Sequence, residues 1–586
     1  MKSCKSLYVI VLAAVLSLAV TSAVGQQWKF GVMSDTQWIG NDDGRNPGTC
    51  SVDIVQTLNK QFIKNGVKFV VQVGDLVDST GSTATSVKNT EDVRAAFAQE
   101  LFNAGIGFYT FRGNHDSQPL ARDEFRRIYP QTVNGKNNAV PFDVFTVPNP
   151  DKAVQPFPFP SATSKPFVVG KNFGSPTTSQ TGGDDWTGLS YSFDYNNARF
   201  VLLDQFSPLN KASSANPYAN AIHEQQPWID AVLSGRAAGT HAFVFSHKGL
   251  ISENHVDALF GSSPASDPTS QDAFITSLYN NGVRYYTQGH DHMHDRSLVS
   301  VTTGTPTDGH SAKVQNILCA SDSSKFYTPG SPSNDDKYDV PAFGHKRQAQ
   351  VAQELHTVGF YIYTVDGPRV TGDYYSSVLS NVVPSGCGST DPNCEWLIPT
   401  LPALNFVKQE SFGYSLNGKE FQVCQAAQTG CNSSYTQVVD SFNGTTAKIL
   451  SGTNGSTAQD FDSRSFLKTV DTGWAYATTN TASNILTLWG MADLGSPRTD
   501  VYTLSVSYNP SKKAPSSVIA SFGLATKDAY GNWVNAVDMI QGTYSKRFVL
   551  GPWSPSYELG TYGVDTSKNT AWAVINYNAD FAVTSF

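Results

Sequence analysis

Five times between Trp28 and His294, a run of β-branched or aromatic residues ends in a short cluster of Asp, Asn or His. The clusters read Ser34-Asp35-Thr36-Gln37, Gly74-Asp75-Leu76-Val77-Asp78, Gly113-Asn114-His115-Asp116, Ser246-His247 and Gly289-His290-Asp291-His292. An apolar run followed by such a cluster reads as a strand and the loop after it. Open α/β sheets build their sites at that carboxyl edge. Any one cluster alone is weak, since Gly-Asp-x-x-Asp is a common turn. The ordered set constrains the chain to bring five strand ends together.

The intervening segments fit this reading. Residues 51–65 carry Ile54, Val55, Leu58 and Phe62 at helical spacing, with Gly66 as the stop. Residues 67–73 and 106–111 read as strands, with a helix over 91–103 between them. Residues 189–195 and 198–204 form a hairpin around Asn196-Asn197. A helix over 228–233 and strands over 242–245, 283–287, 314–319, 358–365 and 369–375 complete an α/β sandwich.

Past a Cys/Pro/Gly-bearing connector at 381–400, the pattern changes to short β-type runs between Gly, Asn, Ser and Thr. Examples are 412–415, 485–489, 501–508 and 572–577. An all-β, sandwich-like accessory domain is expected over 401–586, after an α/β domain over 26–380. All eleven histidines lie between His115 and His356, so imidazole chemistry is confined to the first part.

Residues 1–25 place Lys2 and Lys5 before an apolar stretch from Leu7 to Val20 and then small residues, the pattern of a cleavable secretory signal. Export, with no transmembrane segment, is the expectation. Removing that segment takes Cys4 away and leaves six cysteines. Cys387 with Cys394 and Cys424 with Cys431 are close enough to bridge locally, which leaves Cys50 and Cys319 as a long-range pair, with free thiols the alternative. The formal charge of −8 and the lack of a basic cluster argue against general nucleic-acid binding.

Taken together, the five clusters resemble the calcineurin-like metallophosphoesterases. The resemblance implies a dinuclear metal centre that activates a hydroxide for attack on phosphorus, in a hydrolase acting on phosphate mono- or diesters. It implies Asp75 as the bridging carboxylate, Asp35 and His292 on the first metal, and Asn114, His247 and His290 on the second. Oxygen and imidazole ligands together suit manganese, iron or zinc. His115 would serve as general acid or orient the phosphate, with Asp116 holding its other ring nitrogen. Gln37 departs from the family's Asp-x-His; its amide oxygen is a weaker ligand, so the first metal is expected to be held less tightly. Asp78 stands where purple acid phosphatases have a tyrosine, and reads as a brace for its loop.

Outside the clusters, Arg112 reads as either a phosphate clamp or a structural ion pair, and His294 with Asp295 as support for the site or as solvent-facing. Residues 142–167 combine five phenylalanines with six prolines and read as a surface insertion or a wall of a leaving-group pocket. Surface or carbohydrate contact through the β domain is a further expectation. The rival to an esterase is a non-catalytic surface or binding protein that keeps this fold, its site decayed at Gln37 and its β domain the working part.

Overall fold

A computed structural model describes residues 27–586 except 38–50, 79–82, 142–162, 181–183, 207–220, 263–267, 302–311, 330–338, 341–344, 417–437, 441–443, 453–459, 466–469 and scattered positions (252, 256, 347, 389, 392–393, 462–463, 490, 492, 496–497). The signal-like segment, Asn432, Asn443 and Asn454 of three Asn-x-Ser/Thr triplets, Cys50, Cys424, Cys431 and most of the Phe/Pro-rich insertion therefore lie outside the described residues. No helix among the described residues is long and apolar enough to cross a membrane.

Two sheets face each other in the first part of the chain. One has the strand order Val407–Ser415, Arg369–Val378, Thr357–Asp366, Trp28–Met33, Phe69–Gln72, Gly107–Thr110. The other runs Gln348–Glu354, His294–Ser300, Lys313–Leu318, Tyr285–Gln288, His241–Ser246, Ala198–Leu203, Tyr191–Tyr195, Lys171–Gly174. Alternate residues of each strand fill the gap between the sheets: Trp28, Phe30 and Val32 from one, Phe200, Leu202, Phe243 and Phe245 from the other. Aromatic rings dominate this layer, with Phe30 stacked on Tyr363 at 4.9 Å and Phe193 on Phe200 at 5.1 Å.

Helices cover both outer faces. Ile54, Leu58 and Phe62 of the helix Ser51–Asn65 pack on Val70 and Phe108. Trp228, Ile229, Phe274 and Leu278 of Ala221–Ser234 and Pro268–Asn280 pack on Val201 and Val244. The helix expected over 91–103 starts earlier, at Ala84, where Thr83 and Ser86 form a reciprocal cap.

One boundary differs from expectation. Residues 412–415 were expected in the β-rich part, yet Val407–Ser415 pairs along Arg369–Val378 as the edge strand of the first sheet. Phe412 and Tyr414 enter the core between the sheets. The connector is also built into this body: Val383–Pro384 and Trp396–Leu397 join Lys325–Phe326 in a small sheet, stapled by a Cys387–Cys394 disulfide. Cys319 is a buried free thiol, the alternative that the sequence left open beside a Cys50–Cys319 pair.

The C-terminal residues form a β sandwich, as expected. One sheet runs Val438–Asp440, Thr446–Ser451, Arg498–Ser507, Thr570–Tyr577, Thr561–Asp565, Arg547–Leu550; the other runs Asp471–Ala475, Ile485–Trp489, Asp580–Ser585, Phe522–Lys527, Trp533–Asn535. Leu486, Leu488, Leu504, Val506, Val564, Ile575 and Phe581 fill its core.

The sandwich is joined to the first body by buried charge. Arg296 pairs with Glu410 and, at 3.3 Å, with Asp471, while lying 4.5 Å over the Phe412 ring. His294, read from sequence as support for the site or solvent-facing, belongs here: it is buried, stacked on Tyr374 at 3.9 Å, with Nε2 3.1 Å from Glu410. Burial opposes the Glu410 charge, but Arg296 and His294 outweigh it and hold the carboxyl down at about 2, against an ordinary 4.5. A depressed carboxyl stabilises the fold above its ordinary value, and that stabilisation is lost as pH falls from about 4.5 towards 2. Glu410→Gln is therefore expected to lower the melting temperature at neutral pH, and the gap to wild type should close through that window. A gap that does not change with pH would reject this account.

Candidate metal centre

Every cluster sits at the carboxyl end of a strand from the parallel parts of the two sheets. Trp28–Met33, Phe69–Gln72 and Gly107–Thr110 are mutually parallel and deliver Asp35, Asp75, Asn114 and His115. His241–Ser246 and Tyr285–Gln288 are parallel in the opposing sheet and deliver His247, His290 and His292. The backbone there is strained: Asp35, Gln37, Asp75, His290 and His292 all have φ between 38° and 81°. Non-glycine residues adopt the left-handed region only where the surroundings enforce it, a pattern concentrated at functional sites. A Cβ at Gly113 would run into the Asp75 carboxylate, and one at Gly289 into Ser34 and Asp35. These two glycines let the loops approach closely enough for the carboxylates to converge.

The convergence has two overlapping halves. Asp35, Asp75 and His292 place one ligand atom each within 4.8 Å of one another, and so do Asp75, His247 and His290. Asp75 belongs to both. Its Oδ2 lies 3.3 Å from His247 Nε2, and Asn114 Oδ1 lies 2.9 Å from the same nitrogen. His292 Nε2 lies 3.5 Å from Asp35 Oδ1. All six sequence-derived ligand residues are thus brought together.

Hydrogen bonds fix which ring nitrogens face inward. His247 Nδ1–H donates to the Val73 carbonyl at 2.9 Å, and His292 Nδ1–H to the Lys325 carbonyl at 3.0 Å. A carbonyl only accepts, so each Nε2 turns its lone pair towards carboxylate and amide oxygens. Lone pairs facing lone pairs call for a cation. The protein alone meets this with protons: burial pushes the Asp35 carboxyl up to about 7, and Asp75 outweighs burial at His247 to raise that imidazole to about 9. Gln37 donates Nε2–H to Asp75 at 3.2 Å, and its Oε1 is buried with no hydrogen-bond partner. This donor set fits a pair of divalent cations.

His115 is partly exposed beside the cluster, with Nε2 3.8 Å from Asp75. Its expected partner is a correction. The Asp116 carboxylate accepts the backbone N–H groups of Leu76, Val77 and Gly113 at 2.9, 3.1 and 3.1 Å, which pins the two loops together. His115 Nδ1–H donates to the Asp78 backbone carbonyl. The Asp78 carboxylate in turn pairs with the Lys325 ammonium, which makes it the loop brace expected of it.

Arg112 is a structural residue, buried and paired with Asp204 at 2.7 Å. The sequence reading missed His255. Its ring stacks on His290 at 4.1 Å, and its Nδ1 lies 2.6 Å from Asp291, with which it forms a third potential ligand group. Tyr327 closes the same side, 4.8 Å from His255 and 5.1 Å from His292. Asp291, between two histidines of its cluster, was the one available signal.

Residues 29–294 match the model of the calcineurin-like phosphoesterase family. That stretch holds all five clusters and falls within the α/β sandwich. Among solved structures, the chain is similar to purple acid phosphatase PPD1 from yellow lupin (Lupinus luteus), at 14% identity over 59% of this chain and 51% of that one, with a TM-score of 0.36. It is similar to PhoD at 14% identity over 66% and 70%, TM-score 0.37, and to a dimetal phosphatase from Danio rerio at 15% identity over 59% and 95%, TM-score 0.30. The match thus spans about half the length of the lupin protein. No curated protein matches the chain.

Proposed function

We propose that this chain is an exported hydrolase of phosphate esters that works with two transition-metal ions, manganese, iron or zinc. The observation that carries the reading is the pair of ligand groups sharing Asp75. Asp35, Asp75 and His292, with Gln37 through its unpartnered Oε1, would hold one ion; Asp75, Asn114, His247 and His290 would hold the other. When bound, such ions polarise phosphoryl oxygens and acidify the attacking water. The protein's own part is to hold the carboxylates and imidazoles in register from two opposing sheets, and to present His115 at the open side. Export rests on residues 1–25. Elemental analysis of protein reconstituted with each metal, followed by a panel of phosphomonoesters and phosphodiesters, tests the reading; less than one ion per chain with all three metals would reject it.

His115 is the proton donor to the leaving oxygen in this scheme. Its Nδ1–H is committed to Asp78, so Nε2 carries the proton that moves. His115→Ala is expected to lower turnover about a hundredfold with metal content unchanged. The loss should shrink for esters of acidic alcohols, which leave without protonation. An equal loss across leaving groups would assign His115 to phosphate orientation instead.

Gln37→His tests the first ion. Imidazole is the stronger donor to these cations, so activity should saturate at lower added metal. An unchanged titration would place Gln37 outside the ligand set.

A further inference from the structure

The outward face of the C-terminal sandwich carries aromatic and polar side chains that its core does not use. Strand pleating sends Ala447, Ile449, Leu504, Val506, Ala571 and Ala573 inward, so Lys448, Ser505 and Trp572 point to the other side. The register puts Lys448 opposite Ser505, Ser505 opposite Trp572, and Trp572 opposite Gly563, a row across four strands. A Cβ at Gly563 would collide with the Trp572 ring, which lies flat over that strand.

Trp572 is nonetheless only 1% exposed, because residues 551–560 fold back over it. Tyr557 stacks on its ring at 5.4 Å and 8°, and its indole N–H donates to the Gly551 carbonyl at 3.0 Å. Beside this cover lies a groove of about 300 Å³, lined by Lys448, Ser505, Trp553, Asp565, Lys568 and Thr570 among others. The Trp553 indole nitrogen is buried and has no hydrogen-bond partner.

We propose that this groove binds a neutral carbohydrate chain, a function separate from ester hydrolysis. A sugar ring offers an apolar C–H face to an aromatic side chain and vicinal hydroxyls to groups that donate and accept. The groove supplies both: the Trp553 indole as the apolar wall, the lysines as donors, Asp565 as acceptor, and the Ser505 and Thr570 hydroxyls as either. A purely apolar ligand would desolvate these polar groups without pairing them. An anionic polymer would meet the Asp565 carboxylate at the end of the strand Thr561–Asp565, beside Lys568 in the turn that follows. The volume is at the small end for ligand sites, enough for a short stretch of a longer chain.

The test uses the full-length protein. Wild type is incubated with insoluble cellulose, chitin, β-1,3-glucan and starch, with dextran sulfate as the anionic comparison, and the affinity of any retained class is measured by calorimetry with its soluble oligomers. At least one neutral glycan is expected to bind. Trp553→Ala and Lys448→Ala should each weaken that binding, the first by at least about tenfold, with melting temperature and hydrolysis of a small soluble ester unchanged. Should Trp553→Ala fail to fold, Lys448→Ala decides. Retention by no neutral glycan, binding to dextran sulfate alone, or wild-type affinity in the folded variants would each overturn the proposal. Loss of esterase activity alone would leave it standing.

Discussion

Asp75→Asn is expected to strip the cluster to less than one bound ion per chain and to lower kcat/KM by about a thousandfold or more. No other side chain belongs to both ligand groups. The substitution removes the negative charge both ions would share, while most of the local structure is kept. Asn can retain an Oδ1 for the His115 backbone N–H, which Asp75 accepts at 2.9 Å. It also tolerates the left-handed backbone at this position, where φ is 50°. A loss of function should therefore come without unfolding. Elemental analysis, melting temperature and steady-state kinetics on the same preparation test this; two ions retained with Asn at 75 would reject the shared-carboxylate arrangement.

The second large effect concerns where the chain can be cut. A chain ending at Ser380 loses the edge strand Val407–Ser415, the small disulfide-stapled sheet, and the aromatic side chains of Phe412 and Tyr414 from between the two sheets. Emptying the site of one buried phenylalanine costs about 3–5 kcal/mol, against about 5–15 kcal/mol of stability for a typical domain. The cut also opens Arg369–Val378 as a long unprotected edge. That chain is expected to be insoluble. A chain ending at Leu416 keeps these elements and gives up the junction with the sandwich: Arg296 with Asp471, Arg369 with Asp580 and Thr487, and Trp489 against Gly413. We infer that the sandwich begins beyond this point, and expect the longer chain to fold and hydrolyse a small soluble ester. A soluble, active chain ending at Ser380 would reject the role given to the edge strand.

The difference between those two cuts shows what was legible before the structure. The five clusters could be read because each follows a short, continuous β-branched or aromatic run, the mark of a strand buried on both faces, and parallel strands of a sheet end on one side. The helix Ser51–Asn65 matched its spacing to the residue, since Gly66 stops it with φ of 67°. Val407–Ser415 was misassigned because an edge strand of an α/β body and a strand of a β sandwich share the same alternation. Pairing across the connector is not written in local pattern. His255 was passed over for a related reason: what places it is a ring stack on His290 and a bond to Asp291, 36 residues away. Asp116 was assigned to His115 from the usual pairing of a carboxylate with an imidazole's other ring nitrogen, whereas three backbone N–H groups compete for its oxygens and win.

Lys325 ties two imidazoles on different walls of the cluster to a single residue. Its carbonyl takes the His292 Nδ1–H, and its ammonium grips Asp78, whose own carbonyl takes the His115 Nδ1–H. The strand that carries Lys325 pairs with Trp396–Leu397, in the segment stapled by Cys387–Cys394. The ring proposed to hold a metal and the ring proposed to deliver a proton are therefore aimed from the same strut. On that proposal they do not drift apart independently: whatever tilts the strand would shift cation affinity and proton delivery in one movement, so the two would be inherited together.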